Sequence, residues 1–148
     1  GRVNILDRDV DSSTGGVSGP YGLTLFLGTL YHLKNPFACL EMLSHESSMC
    51  LLSTRIMHRL PGVAQPIAAQ PLAYLLDAGE VGGDVTNYWI FSEGGIARLA
   101  ERCGWSILAW LTTGPDESEP VGSARDGRLF ALLESRVIPS GPVAPTSA

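Results

Sequence analysis

Gly22 to Pro36, GLTLFLGTLYHLKNP, passes from an apolar run to a polar crest and then to a helix start. Leu23 to Gly28 is apolar apart from Thr24, which predicts a strand buried on both faces of a parallel sheet. Gly28 ends the run. Thr29, Leu30, Tyr31 and His32 follow, and then Asn35 and Pro36 supply a helix cap and a proline suited to the first helical position. The segment therefore reads as strand, crest loop and helix. Ligands of open α/β sheets lie outside the carboxyl ends of the strands, and this end carries a glycine, a hydroxyl, a phenol and an imidazole.

Working outward, Phe37, Leu40 and Leu43 recur at intervals of three among Glu41, Ser44 and Glu46, predicting an amphipathic helix that ends near Ser47. Met49 to Ile56, MCLLSTRI, predicts a second buried strand whose Ser53-Thr54-Arg55 end emerges on the same crest as Tyr31 and His32. Two strands joined by a helix predict a parallel βαβ unit. On the other side, Val3 to Leu6 predicts a short strand with Asp7, Arg8 and Asp9 at its carboxyl end. Asp11 to Pro20 is a serine and glycine loop in which Asp11 reads as a turn residue.

Met57 to Ile90 is long and irregular, with prolines at 61, 66 and 71, and reads as a substrate-side lid. Its end, Asn87-Tyr88-Trp89-Ile90-Phe91, is rich in aromatic residues that require burial or a ligand. Ser92 then caps a helix with Ile96, Leu99, Ala100 and Cys103 on one face and Gly104 just past its end. Gly94 and Gly95 weaken its first turn by roughly 1 kcal/mol each. Trp105 to Leu111 and Arg128 to Val137 predict an antiparallel pair of strands around an acidic Gly/Pro/Ser loop. The tail 139–148, PSGPVAPTSA, has little to bury and reads as disordered.

The 148 residues are enough for one domain with a sizeable core, and the apolar share of 45% agrees. A net charge of −5 argues against broad attraction to nucleic acid or anionic membrane. No stretch approaches the roughly 20 apolar residues that span a bilayer. Cys39, Cys50 and Cys103 are an odd set without metal-type spacing, read as free thiols in a reducing cytoplasm.

The order strand, LGTLYHLKNPF crest, helix, LLSTR strand, insert, helix ending in CGW and final strand pair resembles the carboxyl-terminal part of a class I S-adenosylmethionine-dependent methyltransferase. The likeness is greatest to the tRNA (mo5U34)-methyltransferase-like subgroup, which shows a similar LFLGVLYHLxxP crest and a GDxTNWW segment. The latter stands here as Gly83 to Trp89, GDVTNYW. The likeness runs from about Val3 to Leu111 and more weakly through Arg136. It implies a partial Rossmann-like α/β fold lacking its first βα units, with 1–138 the carboxyl-terminal portion of the methyltransferase domain. The Gly-rich cofactor turn of such enzymes has no counterpart in this sequence.

The resemblance also implies site roles. Asp9 stands where the family's third-strand aspartate receives the adenine amine of S-adenosylmethionine, with Gly28 and Leu27 beside the cofactor. His32 would be the base and Tyr31 would orient the acceptor, the two catalytic candidates. Arg55, Asn87, Tyr88 and Trp89 would line the acceptor pocket, for a small molecule or an RNA. Relatives that transfer a carboxymethyl group need an arginine for the extra carboxylate, and Thr86 stands at that position, favouring ordinary methyl transfer. The alternative is a non-catalytic Rossmann-like remnant that dimerises through its exposed sheet edge.

Overall fold

The GLTLFL run forms strand β1 (Tyr21–Leu27), and the crest after it closes into a single 3-10 turn (Leu30–His32). This computed structural model describes residues 3–12, 19–122 and 126–138, so the proposed tail at 139–148 lies outside the described residues. Helix α1 (Pro36–Glu46) starts where the sequence places it, with the Asn35 side chain accepting the Ala38 N–H. Strand β2 (Ser47–Arg55) follows without a loop and pairs parallel to β1, with Leu25 opposite Leu51.

Helix α2 (Glu93–Arg102) is capped by Ser92, whose side chain accepts the Gly95 N–H. Strands β5 (Trp105–Thr113) and β6 (Arg128–Ser135) pair antiparallel, and β6 also inserts antiparallel beside β2. The main sheet runs β1-β2-β6-β5. Between β2 and α2 the long insert is better ordered than an irregular lid. It contains a small antiparallel ribbon, β3 (Ala73–Leu75) with β4 (Trp89–Phe91), over its own core of Met57, Ile67, Leu76, Val81 and Ile90.

Both helices pack on one face of the sheet. Phe26, Cys50, Leu52, Leu129, Ala131 and Leu133 point into that side and meet Leu40, Leu43, Ile96, Ala100 and Trp105. Trp105 is fully buried, and its indole N–H donates to the Leu40 carbonyl at 2.9 Å, joining α1 to β5.

Two sequence expectations are corrected here. Strand β1 is buried on one face alone: Leu23, Leu25 and Leu27 are 54%, 62% and 50% exposed. The pairing Leu25–Leu51–Leu132 and Ser53–Phe130–Leu111 carries the same apolar face across all four strands, and the helices cover only the other side. The second correction concerns Val3 to Leu6, which does not form a strand: the segment has no regular secondary structure, with Val3 and Ile5 87% and 91% exposed. A strand needs a neighbour for its backbone groups, and none of the described residues pairs with this one.

Candidate functional site

The site is built at the carboxyl ends of β1 and β2. Gly28 leaves β1 with φ +71, a conformation open to glycine and strained for other residues, and this turns the chain into the crest. Its N–H still donates to the Ser53 carbonyl, so the two strand ends stay in register up to the turn. The 3-10 turn then sets Tyr31 and His32 side by side, their rings 4.2 Å apart and tilted by 43°. The insert reaches back to the crest, with Tyr88 N–H donating to the Tyr31 carbonyl at 2.8 Å.

Together these elements line an open polar hollow of about 340 Å³, bordered by Tyr31, His32, Arg55, Val81, Gly82, Asp84, Asn87, Asp126 and Arg128. Of the residues singled out in the sequence, the structure thus brings Tyr31, His32, Arg55 and Asn87 to one place. Asn87 is buried, and its amide donates to the Val81 and Asp84 carbonyls at 3.4 Å, fixing the turn beside the hollow. Tyr88 lies outside the lining, its ring 6.0 Å from the Lys34 ammonium. Trp89 packs against the main core from β4.

Asp84, Asp126 and Arg128 are lining residues that sequence reading missed. Asp84 stands within the quoted GDVTNYW segment, but its part is visible only once the turn is folded against His32. Thr86 donates both its N–H and its hydroxyl to the Asp84 carboxylate, at 2.8 and 2.6 Å, and these bonds hold that carboxyl below its ordinary range. Arg128 opens β6, opposite Arg55 in the antiparallel register, which brings two guanidinium groups to one rim.

Three cofactor candidates lie apart from this hollow. Leu27 is half exposed on the bare face of β1. Gly28 stands just behind the crest, where an added Cβ would find only the Tyr31 hydroxyl, 3.8 Å away. Asp9 is exposed and accepts the Asp11 N–H in a tight turn. The neighbouring Asp11 does more than make a turn: its carboxylate accepts the Lys34 and Asn35 N–H groups at 2.7 and 2.8 Å, docking the first segment on the entry to α1.

Compared by sequence, the chain matches no protein-family model and no curated protein. Compared by structure, it superposes on the N-terminal domain of EvdMO1 with SAH bound, at a TM-score of 0.50 and 17% identity, over 80% of this chain. The same domain in the presence of SAH and D-fucose gives the same figures. The chain shares the Rossmann-like α/β fold of that domain. A S-adenosylmethionine-dependent methyltransferase from Clostridium acetobutylicum ATCC 824 is also similar, at a TM-score of 0.49 and 10% identity, over 86% of this chain and 63% of that one. The chain spans 48% of the EvdMO1 domain, about half its length.

Proposed function

We propose that the chain is part of an S-adenosylmethionine-dependent methyltransferase that methylates a hydroxyl of a small polar acceptor. One observation carries this reading: a half-buried imidazole and a phenol share a polar hollow at the carboxyl ends of two parallel strands, where sheets of this class bind ligands. The EvdMO1 domain of the same fold holds SAH, the demethylated donor. The LFLGTLYHLKNP crest and the GDVTNYW segment support a member of the tRNA (mo5U34)-methyltransferase-like subgroup.

The residues present fit part of the donor. Gly28 presents open backbone and Leu27 an apolar surface, suited to the flat adenosine portion, whereas Asp9 is engaged in its own turn. A sulfonium donor supplies the methyl group and takes back the bonding pair on sulfur. The chain contributes position and proton removal: Arg55, Arg128 and Tyr31 orient the acceptor, and His32 receives its proton. A hollow of about 340 Å³ suits a sugar-sized molecule or one nucleoside rather than a folded RNA surface, and the net charge of −5 favours the small acceptor.

The test is transfer of labelled methyl from S-adenosylmethionine to a panel of sugars and to tRNA, using the protein as its gene encodes it. Label in a sugar, reduced about 10²- to 10⁴-fold by His32→Gln, supports the reading. Label in tRNA alone overturns the small acceptor, and no label in either overturns methyl transfer. The bare sheet face favours a second reading, a non-catalytic module that dimerises through β1. A sedimentation profile that shifts from monomer to dimer with concentration, without donor binding, would establish it.

A further inference from the structure

The turn through Asp84 and Thr86 lies against His32, and its hydrogen bonds leave a neutral ring only one arrangement of protons. Thr86 has a single hydroxyl proton, and Thr86 Oγ1 donates it to Asp84 Oδ1. His32 Nδ1 stands 3.0 Å from that same Oγ1 and 3.1 Å from the Thr86 carbonyl oxygen. With the hydroxyl proton committed to Asp84, both oxygens facing Nδ1 are acceptors. Nδ1 must therefore carry the imidazole proton. In the neutral ring the lone pair then lies on Nε2, for which no hydrogen bond is seen among the described residues.

We propose that Thr86 and Asp84 are positioning residues that hold neutral His32 as its Nδ1–H tautomer, leaving Nε2 as the base for an acceptor hydroxyl in the hollow. The use of Nε2 rests on the methyl-transfer reading; the tautomer does not. An alcohol is a poor nucleophile while it keeps its proton, whereas a carboxylate or thiolate acceptor would need no base, so this arrangement suits a hydroxyl acceptor. The acceptor oxygen bonds to the methyl carbon, the carbon–sulfur pair stays on the sulfur of the sulfonium donor, and the hydroxyl proton ends on Nε2. Other charged groups facing the ring from the hollow are Arg55, Arg128 and Asp126, with the Tyr31 phenol alongside.

Long-range proton–nitrogen correlation spectra of the chain, recorded where imidazole is neutral, read the tautomer directly. His32→Gln assigns the signals against those of His45 and His58. Wild-type protein should show His32 in the Nδ1–H pattern, although a free histidine in water prefers the Nε2–H form. Asp84→Ala releases the Thr86 hydroxyl to donate toward Nδ1, and about half of the signal should move to the Nε2–H pattern, as hydroxyl and carbonyl then compete. Asp84→Asn, which keeps an acceptor oxygen for Thr86, should restore the wild-type pattern. An Nε2–H pattern in the wild type overturns the proposal whether or not the variants fold, and so does an Asp84→Ala spectrum identical to the wild type. The expected tautomers in a protein that transfers no methyl group would uphold the positioning and count against the function instead.

Discussion

His58 shows how a single side chain can hold three segments. Its Nε2 lies 2.8 Å from Glu93 Oε1 at the start of α2, while Nδ1 lies 3.0 Å from the Asp116 carbonyl and 3.3 Å from Ser118 Oγ. His58→Ala leaves these partners unmatched, and a loss of about 1–3 kcal/mol in denaturant melts is expected. Gly104 is a second such position. With φ +87, an added Cβ would lie 2.9 Å from Val137 Cγ2 and 3.0 Å from Ser44 Oγ, so Gly104→Ala should cost at least about 1–2 kcal/mol in the same measurement. The sequence shows the need for Gly104 because a helix end commonly demands a left-handed residue there. Gly94 and Gly95 were legible only as weaknesses. Their reason is tertiary: the backbone carbonyls of Ala69 and Leu72 close directly over them, where no Cβ fits.

Among the elements, α2 depends most visibly on one cap. Ser92 Oγ accepts the Gly95 and Leu72 N–H groups at 3.0 Å each and donates to the Gln70 carbonyl, so it ties the insert to the helix as well as capping it. Ser92→Ala should therefore exceed the usual cap loss of about 1 kcal/mol, lowering the denaturation midpoint with an unchanged slope. Such caps and the 3.6-residue pattern made both helices and most strand limits readable in advance. The ribbon of β3 and β4 was not, because three-residue strands are too short for an alternating pattern to register. The burial of β1 was misread for another reason. An apolar run states that a face repels water, and says nothing about which neighbour covers it.

For the molecule as a whole, the sheet has a packed side and a bare one. Leu23, Leu25, Leu27, Leu111 and Phe130 form an apolar surface open to solvent, beside an edge of β1 with which no strand among the described residues pairs. Such a surface should bind the dye ANS in the folded state and drive association at high concentration. Leu25→Lys should reduce both signals while leaving the melting temperature nearly unchanged, since that side chain is already wet. The packed side holds all three thiols. Burial raises Cys39 to about 11, and Cys50 and Cys103 each to about 12, from an ordinary 9.0. The folded state thus retains protons that the unfolded chain releases, so this contribution is complete below pH 9 and is lost progressively as pH rises from there toward 12. Melts from pH 8 upward should show that decline, and alkylation of the thiols at neutral pH should require denaturant. The parallel pair and the antiparallel pairing of β5 with β6 were approachable from sequence order, whereas the insertion of β6 beside β2 and the hollow were not. The hollow joins residues from the crest, the insert and β6, and only folding sets Arg128 opposite Arg55.

The three tryptophans give this architecture a built-in optical gauge. Trp105 is sealed inside, Trp89 is half covered, and Trp110 on the outer strand is 44% exposed. Iodide should dim the red-shifted emission of Trp110 in the native protein and leave the blue emission of Trp105 untouched until α1 separates from β5. A single cuvette can therefore distinguish fraying at the sheet border from true opening of the interior.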